Sequence, residues 1–240
     1  MLQVILFLIF ISLSFISIDH VNAREDAKEC VIVLHGLGRT KYSMNKIEKI
    51  LKQDGYLVWN ETYPSTKQRI EYSSVHHINK GLDFCQQNNT VKTNFVTHSL
   101  GGILIRYYLQ DNSISNISTI VMLSPPNKGS ELADYLKDTK LYQWATGPAG
   151  QQLGTTNNSL PNRMEEINAP VGIITGNRTY DPWFSTIIPG IDDGKVSVER
   201  ARLDEMTDFL VVESGHTFIM RNNSVLRQIK YFLRNGKFDK

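Results

Sequence analysis

VKTNFVTHSLGGILIRYY, from Val91 to Tyr108, joins an apolar run to a serine flanked by His98 and Leu100, then to two glycines and apolar residues at helical spacing. A serine at a strand-to-helix turn sits on a sharp bend with its hydroxyl exposed, and the helix amino terminus behind it adds positive potential. Gly101 and Gly102 are the small residues that such a crowded turn needs. A hydroxyl stays a weak nucleophile until a base takes its proton and a carboxylate orients that base. Of the six histidines, His20 lies in the leading apolar segment and His76 and His77 fall mid-helix. His98 adjoins Ser99, where neighbouring side chains on an elbow point apart. His216, in VVESGHTFIM just after the last strand-like run, is the candidate base. For the acid, IDDGKVSVERARL offers Asp192 and Asp193, and GNRTYDPW offers Asp181. Asp193 is favoured because its loop bends at Gly194 and is then anchored by Val196 and Val198, although Asp before Gly is also a plain turn signal. Acyl transfer further needs donors for an oxyanion. LHGLGRT supplies a glycine-rich loop, so the N–H groups of Leu37 and Leu100 are the candidates, with His35 packed beneath to order the loop.

The rest of the chain must bring these groups to one place. CVIVLHG, GYLVWNETYP, TNFVTH, ISTIVMLSPP, APVGIITGN and DFLVVES read as six strands. Helical stripes occur between several of them, such as Met44, Ile47, Ile50 and Leu51, and again at the end with Val225, Ile229, Phe232 and Leu233. Apolar strands alternating with helices predict an α/β fold, a parallel sheet covered on both faces. Ligands bind such sheets beyond the carboxyl ends of the strands. Ser99, the LHG loop and His216 all fall there.

One domain is expected over residues 24–240, with a lid-like insertion at about 127–168 that is rich in Gly, Thr and Asn. Apolar side chains in that insertion and in the 183–188 loop suit an acyl chain or pack on one another. Trp144, Trp183 and Phe184 are the candidate substrate contacts.

The 240 residues are 41% hydrophobic and 21% charged, with a formal charge of +2 and scattered basic residues, which excludes a nucleic-acid surface. No His or Cys pair stands at coordinating spacing, so no metal is expected. The first 23 residues, MLQVILFLIFISLSFISIDHVNA, are apolar from Leu2 to Ile18 and end in a small-residue cleavage pattern, the mark of an export signal. No Lys or Arg precedes the run, and an uncleaved anchor is the alternative. Export implies a periplasmic or secreted protein. It also invites a disulfide between Cys30 and Cys85, the two cysteines, which otherwise are buried thiols. Asn-x-Ser/Thr strings at Asn60, Asn88, Asn116, Asn157, Asn177 and Asn222 carry glycans only in a eukaryotic secretory host.

The order Ser99, Asp193, His216, with LHG upstream, resembles the α/β-hydrolase fold. SPPNKGSELAD, DDGKVSVERARL and GHTFIM are similar to segments of bacterial triacylglycerol lipases and related esterases. The resemblance implies a serine hydrolase that cleaves carboxylic esters of apolar acyl groups, with Asp193 as the triad carboxylate. It implies no cofactor, a small-molecule or lipid ester substrate, and transient contact with a membrane or micelle surface. An acyltransferase, thioesterase or amidase would use the same triad, and a fold relative that only binds would leave it idle. Two features depart from the family: Thr97 replaces the usual Gly or Ala two residues before the serine, and the two leading antiparallel strands are missing, which leaves a minimal sheet.

Overall fold

The apolar runs form six strands: β1 (Glu29–Leu34), β2 (Leu57–Asn60), β3 (Lys92–His98), β4 (Ile117–Leu123), β5 (Val171–Gly176) and β6 (Asp208–Val212). They pair in one sheet of order β2-β1-β3-β4-β5-β6, every pairing parallel. The computed structural model describes residues 28–180 and 182–240. The export segment over residues 1–23 and the alternative carboxylate Asp181 therefore lie outside the described residues.

Alternation along each strand divides the core into two layers. Ile32, Leu34, Phe95 and Ile120 face a cluster that includes Ile78 of α2 (Ile70–Gln87) and Ile103 and Leu104 of α3 (Leu100–Asp111). Val31, Val33, Val96 and Val121 face Ile47 and Leu51 of α1 (Asn45–Gln53) and Ile229 and Phe232 of α8 (Asn223–Asn235). Each inner strand is thus apolar on both sides, the property that made its sequence read as an unbroken run.

The chain lays β2 on one side of β1 and then crosses to lay β3 on the other. The connections leaving β1 and β3 therefore diverge, and a crevice opens between their carboxyl ends. The LHG loop leaves β1 there, and Ser99 leaves β3.

The insertion is more ordered than its weak periodicity suggests. It contains α4 (Glu131–Leu136), α5 (Lys140–Gly150) and α6 (Leu160–Arg163). α5 is broken at Gly147, whose φ of 58° is costly for other residues and where a Cβ would overlap the backbone of Thr66. Periodicity was hidden because these helices are short and bury only a few side chains each, among them Leu132, Ala133, Ala149 and Leu160. Polar ties hold the start of the segment to α3 and to the loop before β6: Asn127 Nδ2 donates to the Ala201 carbonyl (2.8 Å), and the buried Arg106 donates to the Asn127 carbonyl (2.8 Å).

Cys30 and Cys85 are joined in a disulfide with Cα atoms 5.7 Å apart, tying the end of α2 to the start of β1. Among the described residues no helix is long and apolar enough to cross a membrane. The bridge closes a sequence separation of 55 residues, so losing it should cost about 4 kcal/mol. Cys85→Ser is expected to lower the urea midpoint accordingly, and a reductant should do the same to the wild type while leaving the variant unaffected. Midpoints that do not move would show that the bridge contributes no stability.

Candidate active site

Ser99 has φ 50° and ψ −116°, a conformation that costs a non-glycine residue about 1–3 kcal/mol. Its own backbone bonds hold it there: its N–H donates to the Leu123 carbonyl (2.8 Å), and its carbonyl accepts from Gly102 N–H (2.9 Å). The turn also presses α3 against β1. A Cβ at Gly101 would lie 2.6 Å from the Leu34 carbonyl oxygen, so no side chain fits. Thr97, the departure from the family pattern, is wholly buried with its hydroxyl 3.5 Å from the Val121 carbonyl. The bare Gly102 lies beside it and leaves it room.

His216 Nδ1 lies 2.9 Å from Asp193 Oδ2, and both residues are buried. A second link runs through the backbone, where His216 N–H donates to the Asp193 carbonyl (2.9 Å). The other carboxylate oxygen accepts from the N–H groups of Val196 (2.9 Å) and Lys195 (3.1 Å). Burial disfavours the charged carboxylate, but the charge attraction and hydrogen bond of His216, helped by Ser124 and Val196 N–H, outweigh it and hold the Asp193 pKa below the ordinary carboxylate range. With Nδ1–H given to Asp193, Nε2 of a neutral His216 is an acceptor. Asp192 is occupied otherwise: its Oδ1 accepts from Ser185 Oγ and Gly194 N–H, both at 2.7 Å, which makes it a loop-forming residue.

Ser99 and His216 line one cavity of about 160 Å³. Among the described residues no hydrogen bond joins the two side chains. Leu37 also lines the cavity, and Leu100 follows the serine as the first residue of α3. Neither N–H finds a protein acceptor among the described residues, so both remain available to an oxyanion.

His35 fixes the loop that carries Leu37. Its ring stacks on Tyr63 with centroids 3.8 Å apart. Its Nε2 accepts from Tyr63 N–H (3.1 Å), leaving Nδ1 to donate to the Gly36 carbonyl (2.9 Å), and the Tyr63 hydroxyl donates to the His35 carbonyl. Burial lowers the His35 pKa to about 4.

His98 does more than its position next to the elbow suggested. Its Nε2 donates to the carbonyl of His216 (3.0 Å), the two rings are 4.9 Å apart, and burial holds its pKa well below the usual value. Side chains of adjacent residues do diverge here, and the divergence carries His98 beneath the His216 loop. No sequence signal marks this role, or that of Tyr63, because both are defined by residues distant in the chain.

The three aromatic residues expected from the sequence to contact substrate all lie outside the lining of this cavity. Trp144 is 82% exposed and Trp183 69%, and neither lines the cavity. The pitch of α5 turns Tyr142, Ala145 and Thr146 inward and Trp144 outward. Phe184 lines a separate hollow on the other side of His216, with Asp193 and Gly194. Leu132, Leu153 and Val196 supply the apolar wall instead. Among the described residues no group of three or more His, Cys, Asp or Glu side chains is placed to hold a metal ion.

The sequence profile of the palmitoyl protein thioesterase family matches residues 30–166, more than half of the chain. No curated protein matches it. Among solved structures, a lipase from Bacillus licheniformis in its mature form aligns with a TM-score of 0.71 at 19% identity, covering 90% of this chain and 96% of that one. Phospholipase PlaB from Legionella pneumophila gives 0.67 at 16% identity, covering 87% and 59%. Esterase Pf2001 from Pyrococcus furiosus gives 0.59 at 18% identity, covering 87% and 83%. At such identities the likeness is one of fold, and the fold is that of the α/β-hydrolases.

The buried imidazoles fix a pH dependence. His35 and His77 have pKa values of about 4 in the folded protein, each lowered chiefly by burial, against about 6.5 when unfolded. The unfolded chain therefore binds more protons between those values. Stability is full above about pH 6.5 and falls as the pH drops toward 4, with His35 alone costing on the order of 3 kcal/mol. Urea unfolding between about pH 7 and pH 4 should show this decline, and His35→Gln should make it shallower, the share of His77 remaining. A wild-type profile without slope across that window would contradict the neutral, buried state of these rings.

Proposed function

Because the chain belongs to the palmitoyl protein thioesterase family, we propose that it is a serine hydrolase that releases apolar acyl groups from esters and thioesters, with Ser99 as nucleophile, His216 as base and Asp193 as its orienting acid. One observation carries the reading. The imidazole bound to a buried carboxylate at 2.9 Å opens onto the same cavity as a serine held on a strained elbow.

The steps follow from those positions. His216 Nε2 takes the proton of Ser99 Oγ as that oxygen attacks the carbonyl carbon. The oxygen of the tetrahedral intermediate takes up negative charge near the unpaired N–H groups of Leu37 and Leu100, where the amino terminus of α3 adds positive potential. On collapse the leaving alcohol or thiol takes the proton from His216, and the acyl group stays on Ser99. Water, deprotonated by His216, then attacks the acyl-enzyme and frees the acid and the serine. Asp193 keeps Nδ1 protonated and stabilises the imidazolium at each stage. The acyl chain lies along Leu132, Leu153 and Val196, where each methylene removed from water contributes about 0.8 kcal/mol.

A thioester substrate is favoured by the family, and an oxygen ester by the resemblance of the nucleophile, acid and histidine segments to those of lipases. Export belongs to the same reading. The apolar segment over residues 1–23 and the bridged cysteines, which persist in oxidising compartments, support a periplasmic or secreted enzyme. The exposed Trp144 and Trp183 support transient contact with a lipid surface.

A fluorophosphonate is expected to label Ser99 in the folded protein, and Ser99→Ala should abolish both labelling and turnover of octanoyl esters and thioesters. Turnover retained in Ser99→Ala would defeat the assignment. Turnover confined to the thioester or to the oxygen ester of a matched pair decides the bond. His98→Ala, which frees the carbonyl of His216, is expected to lower kcat by roughly 10- to 100-fold through misplacement of the base. An unchanged kcat would remove His98 from the positioning of His216.

A further inference from the structure

The cavity at Ser99 is apolar at depth and basic at its mouth. Leu132, Leu153 and Val196 are buried where they line it. The charged residues on its wall are Arg39 and Lys195, both exposed and both cationic, and no carboxylate lines it among the described residues. They come from different loops, Arg39 from the one that carries Leu37 and Lys195 from the one that carries Asp193.

Arg39 is the more telling of the two. Its backbone is fixed by a turn in which its N–H donates to the Gly36 carbonyl (3.2 Å). Its guanidinium makes no ion pair or hydrogen bond with any described side chain, whereas Lys41, two residues on, pairs with Glu61 at 3.1 Å. It lies close enough to the centre that its charge, after burial and His216, helps hold His98 neutral.

Resting on the reading of the site given above, we infer that Arg39 is a specificity-determining residue that binds a phosphate group on the departing half of the substrate. The acyl chain takes the apolar depth and the carbonyl sits between Ser99 and the N–H of Leu37. The alcohol or thiol half then points to the mouth, where Arg39 waits two residues beyond that donor. A guanidinium matches two phosphate oxygens with parallel N–H bonds. A neutral leaving half would leave this cation without a counter-charge. The phosphate can belong to a lipid headgroup or to a soluble phosphorylated thiol, which share this chemistry.

Two matched pairs test it, each sharing an octanoyl group: octanoylglycerol against octanoylglycerol 3-phosphate, and S-octanoyl-N-acetylcysteamine against octanoyl-coenzyme A. At low ionic strength the phosphorylated member of at least one pair should show a kcat/KM about tenfold or more above its neutral partner, mostly through KM. The advantage should shrink in about 0.5 M NaCl, where charges are screened within a few ångströms. Arg39→Gln should erase the ratio and Arg39→Lys should restore part of it, with fluorophosphonate labelling of Ser99 reporting that each variant retains a formed site. Preference in the glycerol pair assigns a lipid headgroup, and preference in the thioester pair a soluble thiol. Equal turnover within both pairs by the wild type, or a ratio that survives Arg39→Gln, overturns the inference while leaving the hydrolase reading intact. No turnover of any of the four compounds overturns both.

Discussion

The amino terminus of α3 can approach β1 only because position 101 has no side chain, and the conformation of Ser99 depends on that contact. At φ 50° the serine has no local reason to hold its shape. The sheet holds it, with Leu123 accepting its N–H and the Leu34 carbonyl oxygen 2.6 Å from where a Cβ of residue 101 would be. The strain is thus stabilised by parallel pairing of β1, β3 and β4, the most buried part of the molecule. The same approach keeps the first N–H groups of α3 beside the loop leaving β1, so one packing constraint shapes both the turn at Ser99 and the N–H groups proposed as oxyanion donors.

Around that elbow the protein surrounds the site with imidazoles that stay uncharged. His35 orders the loop below Leu37, and His98 holds the carbonyl of His216. Burial keeps each neutral. The buried carboxylate of Asp193 faces His216, the imidazole that the proposed mechanism makes cationic. A charge on His98, with its ring 4.9 Å from that of His216, would oppose the imidazolium.

The cavity wall comes from a different part of the chain. The helices of residues 127–168 bring Leu132 and Tyr142 to the cavity that Ser99 lines, and Asn127 ties the segment to Arg106 of α3 and to Ala201 of the loop before β6. These ties run between elements far apart in sequence, so the floor of the site and its roof are fixed independently, the floor by the sheet and the roof by buried polar contacts.

The sequence by itself determined the sheet and its sense, since unbroken apolar runs alternating with helices leave few alternatives to a parallel sheet covered on both faces. It also determined where Ser99, Asp193 and His216 fall along the chain, because strand ends and glycine turns are local signals. It did not determine which aromatic residues face the cavity. Trp144 and Trp183 share a loop-like composition with the residues that do line the cavity, and only the phase of a short, broken helix turns Tyr142 inward and Trp144 out. The choice of Asp193 over Asp192 as the partner of His216 was favoured from the chain but decided in space, where adjacent side chains diverge and one carboxylate reaches the imidazole while the other closes its own loop. The supporting roles of Tyr63 and His98 were invisible for the same reason: a stacking or hydrogen-bond partner dozens of residues away leaves no trace in local composition, and tertiary packing alone brings it within reach.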